Sequence, residues 1–158
     1  MGIVLSKLMK KVFVLVLIST VYLNAETMFL LTKMPKLYLV VENYSENISM
    51  DLKKDILNDM KNMTDELKID TSGYSHRALG FMIYDTSIDD MIILNVDLIL
   101  GEEVKRVDDN KEVYALTYEK RKQFSLNSKT EEEIHEQLMD DVYTLLSEFS
   151  EQYKEDNL

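Results

Sequence analysis

The 158-residue chain has no cysteine, no tryptophan, one proline and four glycines. Without cysteine there is no disulfide, no thiolate nucleophile or metal ligand, and no acceptor for an N-terminal lipid. Stability must therefore come from an ordinary apolar core. Gly2, Gly73, Gly80 and Gly101 are too scattered to form a phosphate-cradling loop. Basic residues are also few: 18 against 29 acidic ones, a formal charge of −11. A chain of this charge is repelled by phosphate backbones and anionic headgroups, which excludes nucleic acid as a partner. Acidity can attract cations or a basic protein surface, although its ordinary effect is to keep a domain soluble.

What is present begins with "MKKVFVLVLISTVYLNAE", Met9 to Glu26. Two lysines, an apolar run from Val12 to Leu23 and the Asn24-Ala25 ending have the layout of a secretory signal. The run is shorter than the ~20 apolar residues a spanning helix needs. Residues 1–25 are therefore expected to be a signal peptide cleaved after Ala25, with an uncleaved anchor as the alternative. The first eight residues add little that export requires, so translation starting at Met9 is a second expectation. Cleavage removes Lys7, Lys10 and Lys11 and no acid, which leaves 15 basic against 29 acidic groups, or −14. About 130 residues remain, enough for one domain.

Residues 26–35 show no definable element, and the domain is expected to span 36–158. "KLYLVVENY", Lys36 to Tyr44, is rich in β-branched and aromatic residues and predicts a strand, with Pro35 at its start. Leu52, Ile56, Met60, Met63 and Leu67 then follow helical spacing, with Ser49 as the expected cap and Asp51 in the first turn. Three strands are predicted next: Arg77–Asp85, Met91–Arg106 and Lys111–Leu126. The link "VDDN" favours a hairpin between the last two. A turn centred on Asp109 sets Leu100 opposite Tyr118 and Asp97 opposite Arg121. It also puts Tyr114, Leu116, Tyr118 and Phe124 on the face of the leucines. Thr130 and Glu133 have capping-box spacing ahead of the stripe Ile134, Leu138, Val142, Leu145, Phe149 and Tyr153, which predicts a final helix. The expected fold is α+β, in the order β-α-β-β-β-α: two helices on one face of a mainly antiparallel four-stranded sheet.

The chemistry is sparse. "HEQLM", from His135, has Met139 where a zinc-protease helix needs its second histidine. His76 lies in "GYSHR" beside Tyr74, Ser75 and Arg77, a polar loop that can form a small binding site. The acidic pairs Asp89–Asp90, Asp108–Asp109 and Asp140–Asp141 lack the alternating oxygen ligands of a calcium loop. The methionines fall on apolar stripes and fit core filling. No catalytic constellation, cofactor or metal site emerges. The remaining candidate is a surface: the sheet face opposite the helices, or a sheet edge. There Ile93, Ile99, Val113 and Ala115 are expected to alternate with Asn95, Asp97, Thr117 and Arg121. The Asp97–Arg121 pair is read as solvated support for the sheet.

"LYLVVEN", a helix, the hairpin "MIILNVDLILGEEVKRVDDNKEVYALTYEKRKQF" and a final helix, taken with the leader, resemble small periplasmic α/β modules of envelope assembly. These are the lipopolysaccharide-assembly lipoprotein and the related domains of curli-secretion and penicillin-binding-protein-activator lipoproteins. This chain lacks the cysteine that carries their lipid, so no functional residue transfers. The resemblance implies an exported, non-enzymatic binding or assembly module with an envelope protein as partner. Membrane contact is then expected only through an uncleaved leader or through that partner. The alternative is a small hydrolase or metal-dependent enzyme centred on His76. The candidate surface residues are Tyr74, His76, Arg77, Ile93, Ile99 and Arg121.

Overall fold

A computed structural model describes residues 31–157. The predicted leader, the choice between Met1 and Met9, and residues 26–30 lie outside the described residues. The elements run β1 (Tyr38–Asn43), α1 (Leu52–Glu66), β2 (Arg77–Ile88), β3 (Met91–Lys105), β4 (Glu112–Ser125) and α2 (Glu131–Asp156). The strands lie side by side in chain order. β1 is parallel to β2, and the other two pairings are antiparallel. The parallel pair needs a crossover, which α1 supplies. This is the expected α+β architecture.

Both helices bury the stripes their spacing predicts. Leu52, Ile56, Met60 and Met63 of α1, with Leu138, Val142, Leu145 and Phe149 of α2, meet Leu79, Phe81 and Ile83 of β2 and Leu94, Val96, Leu98 and Leu100 of β3 in one core. Each fully buried side chain of this size contributes about 1.5–3 kcal/mol by leaving water. Thr130 and Glu133 form the capping box: Thr130 Oγ1 accepts from the Glu133 amide at 3.2 Å, and Glu133 Oε2 accepts from the Thr130 amide at 2.8 Å. The bonds that Glu133 Oε2 accepts from the Thr130 amide and hydroxyl hold the Glu133 carboxyl below its usual pKa. Ser49 does not cap α1 in the expected way. Asp51 precedes the helix, and the Ser49 hydroxyl accepts from the Asp51 amide at 3.3 Å, one turn outside it.

Two local features depart from the expected strands. β2 runs to Ile88 rather than Asp85, because Asp89 takes a left-handed conformation (φ 52°) and closes a tight turn with Asp90. At the β3–β4 turn, the Arg106 amide bonds the Lys111 carbonyl, one residue tighter than a turn centred on Asp109. The difference is recovered at a β-bulge, where β4 passes from Tyr118, opposite Leu100, to Leu116, opposite Gly101. Thr117 is the extra residue.

The segment 31–35 is irregular yet packed. Leu31, Met34 and Leu37 are buried. The Leu31 amide donates to Asp156 Oδ2 at 2.7 Å, and its carbonyl accepts from Asn157 Nδ2 at 2.8 Å. This ties the start of the domain to the end of α2.

Candidate sheet-face site

The helices cover the face of Phe81, Leu98 and Tyr118; the ring of Tyr118 meets Phe149 of α2 edge-on at 5.4 Å. Side chains alternate along a strand, so the residues between them form the other face. Register resolves that face into rows across all four strands. One is Tyr38, Ala78, Gly101 and Leu116; the next is Val40, Gly80, Ile99 and Glu119; the third is Glu42, Met82, Asp97 and Arg121. The first row has small residues in the middle and exposed Tyr38 and Leu116 at its ends. A Cβ placed on Gly101 would meet only the Ala78 carbonyl, at 4.0 Å. The row is therefore a shallow trough with apolar ends.

The third row contains a bidentate ion pair. Arg121 Nε and Nη2 donate to the two oxygens of Asp97 at 2.6 and 2.7 Å, and the Tyr84 hydroxyl donates to Asp97 at 3.2 Å. The Asp97 side chain is only 6% exposed, whereas that of Arg121 is 45% exposed. The predicted pairing is present, but it is not the solvated pair expected from sequence: the carboxylate is enclosed and the guanidinium closes the opening. Hydrogen bonding and then charge from Asp97 raise the pKa of Arg121 further. Burial, followed by the charge of Asp97, raises that of Tyr84.

His76 borders the trough. Its Nδ1 lies 2.5 Å from Glu103 Oε2, and its ring meets Tyr74 edge-on at 5.4 Å. The Tyr74 hydroxyl is 3.1 Å from that of Tyr114. This hydrogen bond, then burial, raises the Tyr114 pKa. Ser75 does not join His76: its hydroxyl donates to the Lys36 carbonyl and accepts from the Arg77 amide, both at 3.1 Å. Arg77 separates from the group altogether. It shares the helix-side face with Leu79, pairs with Glu102, and donates to the Lys33 carbonyl at 2.6 Å.

Of the six candidate residues, the structure thus gathers Tyr74 and His76 at one end of the open face. It places Ile93, Ile99 and Arg121 along that face and Arg77 on the other side. The bulge corrects the rest of the reading. Tyr114 and Leu116 turn to the open face instead of joining the leucines, and Val113 and Ala115 exchange places with them. Leu116, at 59% exposure, confirms the reversal. Tyr38, Tyr114, Leu116 and Glu103 were thus missed. The available signal was the brevity of "VDDN", which demands a turn tighter than one centred on Asp109.

No protein-family model and no curated protein sequence matches the chain. Solved structures do resemble it. A minor lipoprotein from Acinetobacter baumannii is 9% identical with a TM-score of 0.41, covering 77% of this chain and 91% of that one. A PelC dodecamer from Paraburkholderia phytofirmans is 16% identical with a TM-score of 0.36, covering 72% and 84%. Rare lipoprotein B from Shewanella oneidensis is 9% identical with a TM-score of 0.33, covering 76% and 91%. The likeness carries no functional residue to this chain. Among the described residues, no helix is long and apolar enough to cross a membrane.

Proposed function

We propose that this chain is an exported, non-enzymatic binding module of the cell envelope that presents its open sheet face to a protein partner. The observation that carries the reading is the row Tyr38–Ala78–Gly101–Leu116, an apolar-ended trough that neither helix covers. On either side of it the acidic side chains are already engaged within the chain, Asp97 by Arg121 and Glu103 by the His76 ring. An apolar contact can then form there without stranding a carboxylate. The signal layout of residues 9–25 supports export. The enzymatic alternative loses its nearest nucleophile, because both hydrogen bonds of the Ser75 hydroxyl go to backbone groups.

The test is capture from solubilised envelopes with the wild-type chain, with Ile99→Glu and Leu116→Glu, and with His76→Ala. A partner retained by the wild type and His76→Ala but lost by the two charged variants supports the proposal, provided their far-ultraviolet circular dichroism is unchanged. Capture that is indifferent to Ile99→Glu and Leu116→Glu refutes it.

A further inference from the structure

Two tyrosine hydroxyls meet at the border of the open face. Those of Tyr74, in the loop before β2, and Tyr114, in β4, lie 3.1 Å apart although the residues are 40 apart in the chain. Both side chains are open to solvent, the residues being 69% and 62% exposed. The contact is held from both sides. Tyr114 stands opposite Glu103 in the β3–β4 ladder. Tyr74 follows Gly73, which takes a left-handed turn (φ 81°), and its ring meets that of His76, itself paired with Glu103. Ser75, between them, is fastened by its hydroxyl to the Lys36 carbonyl and the Arg77 amide.

Other tyrosines of the domain are not placed in this way. The Tyr84 hydroxyl donates to Asp97, and that of Tyr118 is buried. Tyr44 and Tyr143 are 65% and 75% exposed, yet no second hydrogen bond joins two tyrosines among the described residues. Juxtaposition, not exposure, singles out Tyr74 and Tyr114.

Juxtaposed phenols have a specific oxidative chemistry. A one-electron oxidant takes an electron from each ring, and the phenolic protons pass to water. The two phenoxyl radicals couple through ring carbons next to oxygen and form one carbon–carbon bond. The hydrogens on those carbons then return to the oxygens through water, which restores both phenols. With hydrogen peroxide as the terminal oxidant, two tyrosines and one peroxide give dityrosine and two waters. In that product the hydroxyls are neighbours within hydrogen-bonding reach, the arrangement that Tyr74 and Tyr114 already hold. Rings held together before reaction avoid the entropy cost of meeting.

We infer that Tyr74 and Tyr114 are an oxidative cross-linking site, coupled to dityrosine by a peroxide-driven haem oxidant, and that the cross-link clamps the loop before β2 onto β4. In a chain with no cysteine it does what a disulfide would do, joining residues 40 apart and restricting the unfolded chain. The site borders the open face, but the inference stands without the function proposed for that face.

The probe is a haem peroxidase with limiting hydrogen peroxide, applied to the full chain at low protein concentration. The monomer should lose two hydrogen atoms, gain the blue fluorescence of dityrosine and yield a cross-linked peptide joining Tyr74 to Tyr114. Tyr74→Phe and Tyr114→Phe should each lower the yield of dityrosine within the chain about tenfold, whereas Tyr143→Phe should leave it unchanged. Treatment should raise the thermal midpoint of the wild type by several degrees and that of Tyr74→Phe not at all. Dityrosine formed only between chains, an equal loss in Tyr143→Phe, or no dityrosine in the wild type overturns the cross-linking site. An unchanged midpoint in the cross-linked wild type overturns the clamp. Far-ultraviolet circular dichroism of each variant before treatment separates loss of coupling from loss of fold.

Discussion

Replacing Arg121 with methionine should cost far more stability than replacing its partner Asp97 with valine, although both changes delete the same ion pair. In Arg121→Met the Asp97 carboxylate stays enclosed, at 6% side-chain exposure, with only the Tyr84 hydroxyl left to donate to it. Breaking a fully buried pair costs about 3–5 kcal/mol, and an exposed one about 0–1 kcal/mol. Here the guanidinium is nearly half exposed, so water partly fills the space it leaves. An intermediate loss of about 2 kcal/mol follows. In Asp97→Val the arginine retains Glu119 at 3.1 Å and turns to solvent, and the loss should stay below about 1 kcal/mol. The double variant, with two apolar side chains side by side on adjacent strands, should recover at least half of what Arg121→Met loses, because no carboxylate is left stranded. The assay is urea unfolding. With m of about 2 kcal/mol/M, the Arg121→Met midpoint falls by about 1 M at unchanged m. Equal losses in the two single variants, or a loss below about 0.5 kcal/mol in Arg121→Met, would refute the enclosed-carboxylate reasoning.

The same titration checks two further predictions. Gly80→Ala should cost about 1–3 kcal/mol by overpacking, because its Cβ would lie 2.7 Å from Val40 Cγ1 and 3.4 Å from the Val40 carbonyl. Adding Val40→Ala should return much of the loss, and strict additivity would count against the contact. Tyr118→Phe should match or exceed the wild type at neutral pH, since the buried Tyr118 hydroxyl has no hydrogen-bond partner among the described residues. Burial, and then the charge of Glu148, raises its pKa from 10.0 to about 12. The folded chain therefore holds this proton more tightly than the unfolded chain does. The stability tied to it is complete below pH 10 and is lost as pH rises from 10.0 to about 12. The variant should lack that part of the alkaline loss, and parallel curves for the two proteins across this window would contradict the assignment.

The elements were legible in the sequence because their signals are periodic and local. The α2 stripe and capping box appear where the spacing puts them, and the stripe of α1 is buried as expected. The opposition of Asp97 to Arg121 was legible for a subtler reason. The tighter turn and the bulge shift register in opposite senses and cancel from Leu100 outward. Between turn and bulge nothing cancels, and there the reading placed Tyr114 and Leu116 on the wrong face. Alternation alone cannot reveal a bulge, since "EVYALTYE" reads as apolar on alternate positions in either register. Burial of Asp97 was hidden for another reason. An acid on the polar side of an amphipathic strand looks solvated until Tyr84 and Arg121 are known to close over it.

The bulge also explains why the candidate face has a trough. Had β4 continued from Tyr118 without a bulge, Thr117 would have stood opposite Gly101, and Tyr114 and Leu116 would have pointed with the core leucines. The single inserted residue sends Leu116 to the outer end of the Ala78–Gly101 row and brings Tyr114 within 3.1 Å of the Tyr74 hydroxyl. One irregularity thus gives the open face both an apolar wall and an aromatic border. It does so beyond the inner part of the hairpin, where Leu98 and Leu100 are already buried. The site can therefore vary at its rim without disturbing the packing that holds the sheet to its helices. Deleting Thr117 tests this: with Leu116 joined to Tyr118 the bulge is lost while Tyr118 still faces Leu100 and Leu116 still faces Gly101, so Leu116 and Tyr114 should keep the open face. Amide exchange from Ile93 to Leu100 should then stay protected and capture through the open face should be kept. Global loss of protection would instead mean that the bulge serves the fold and not the site.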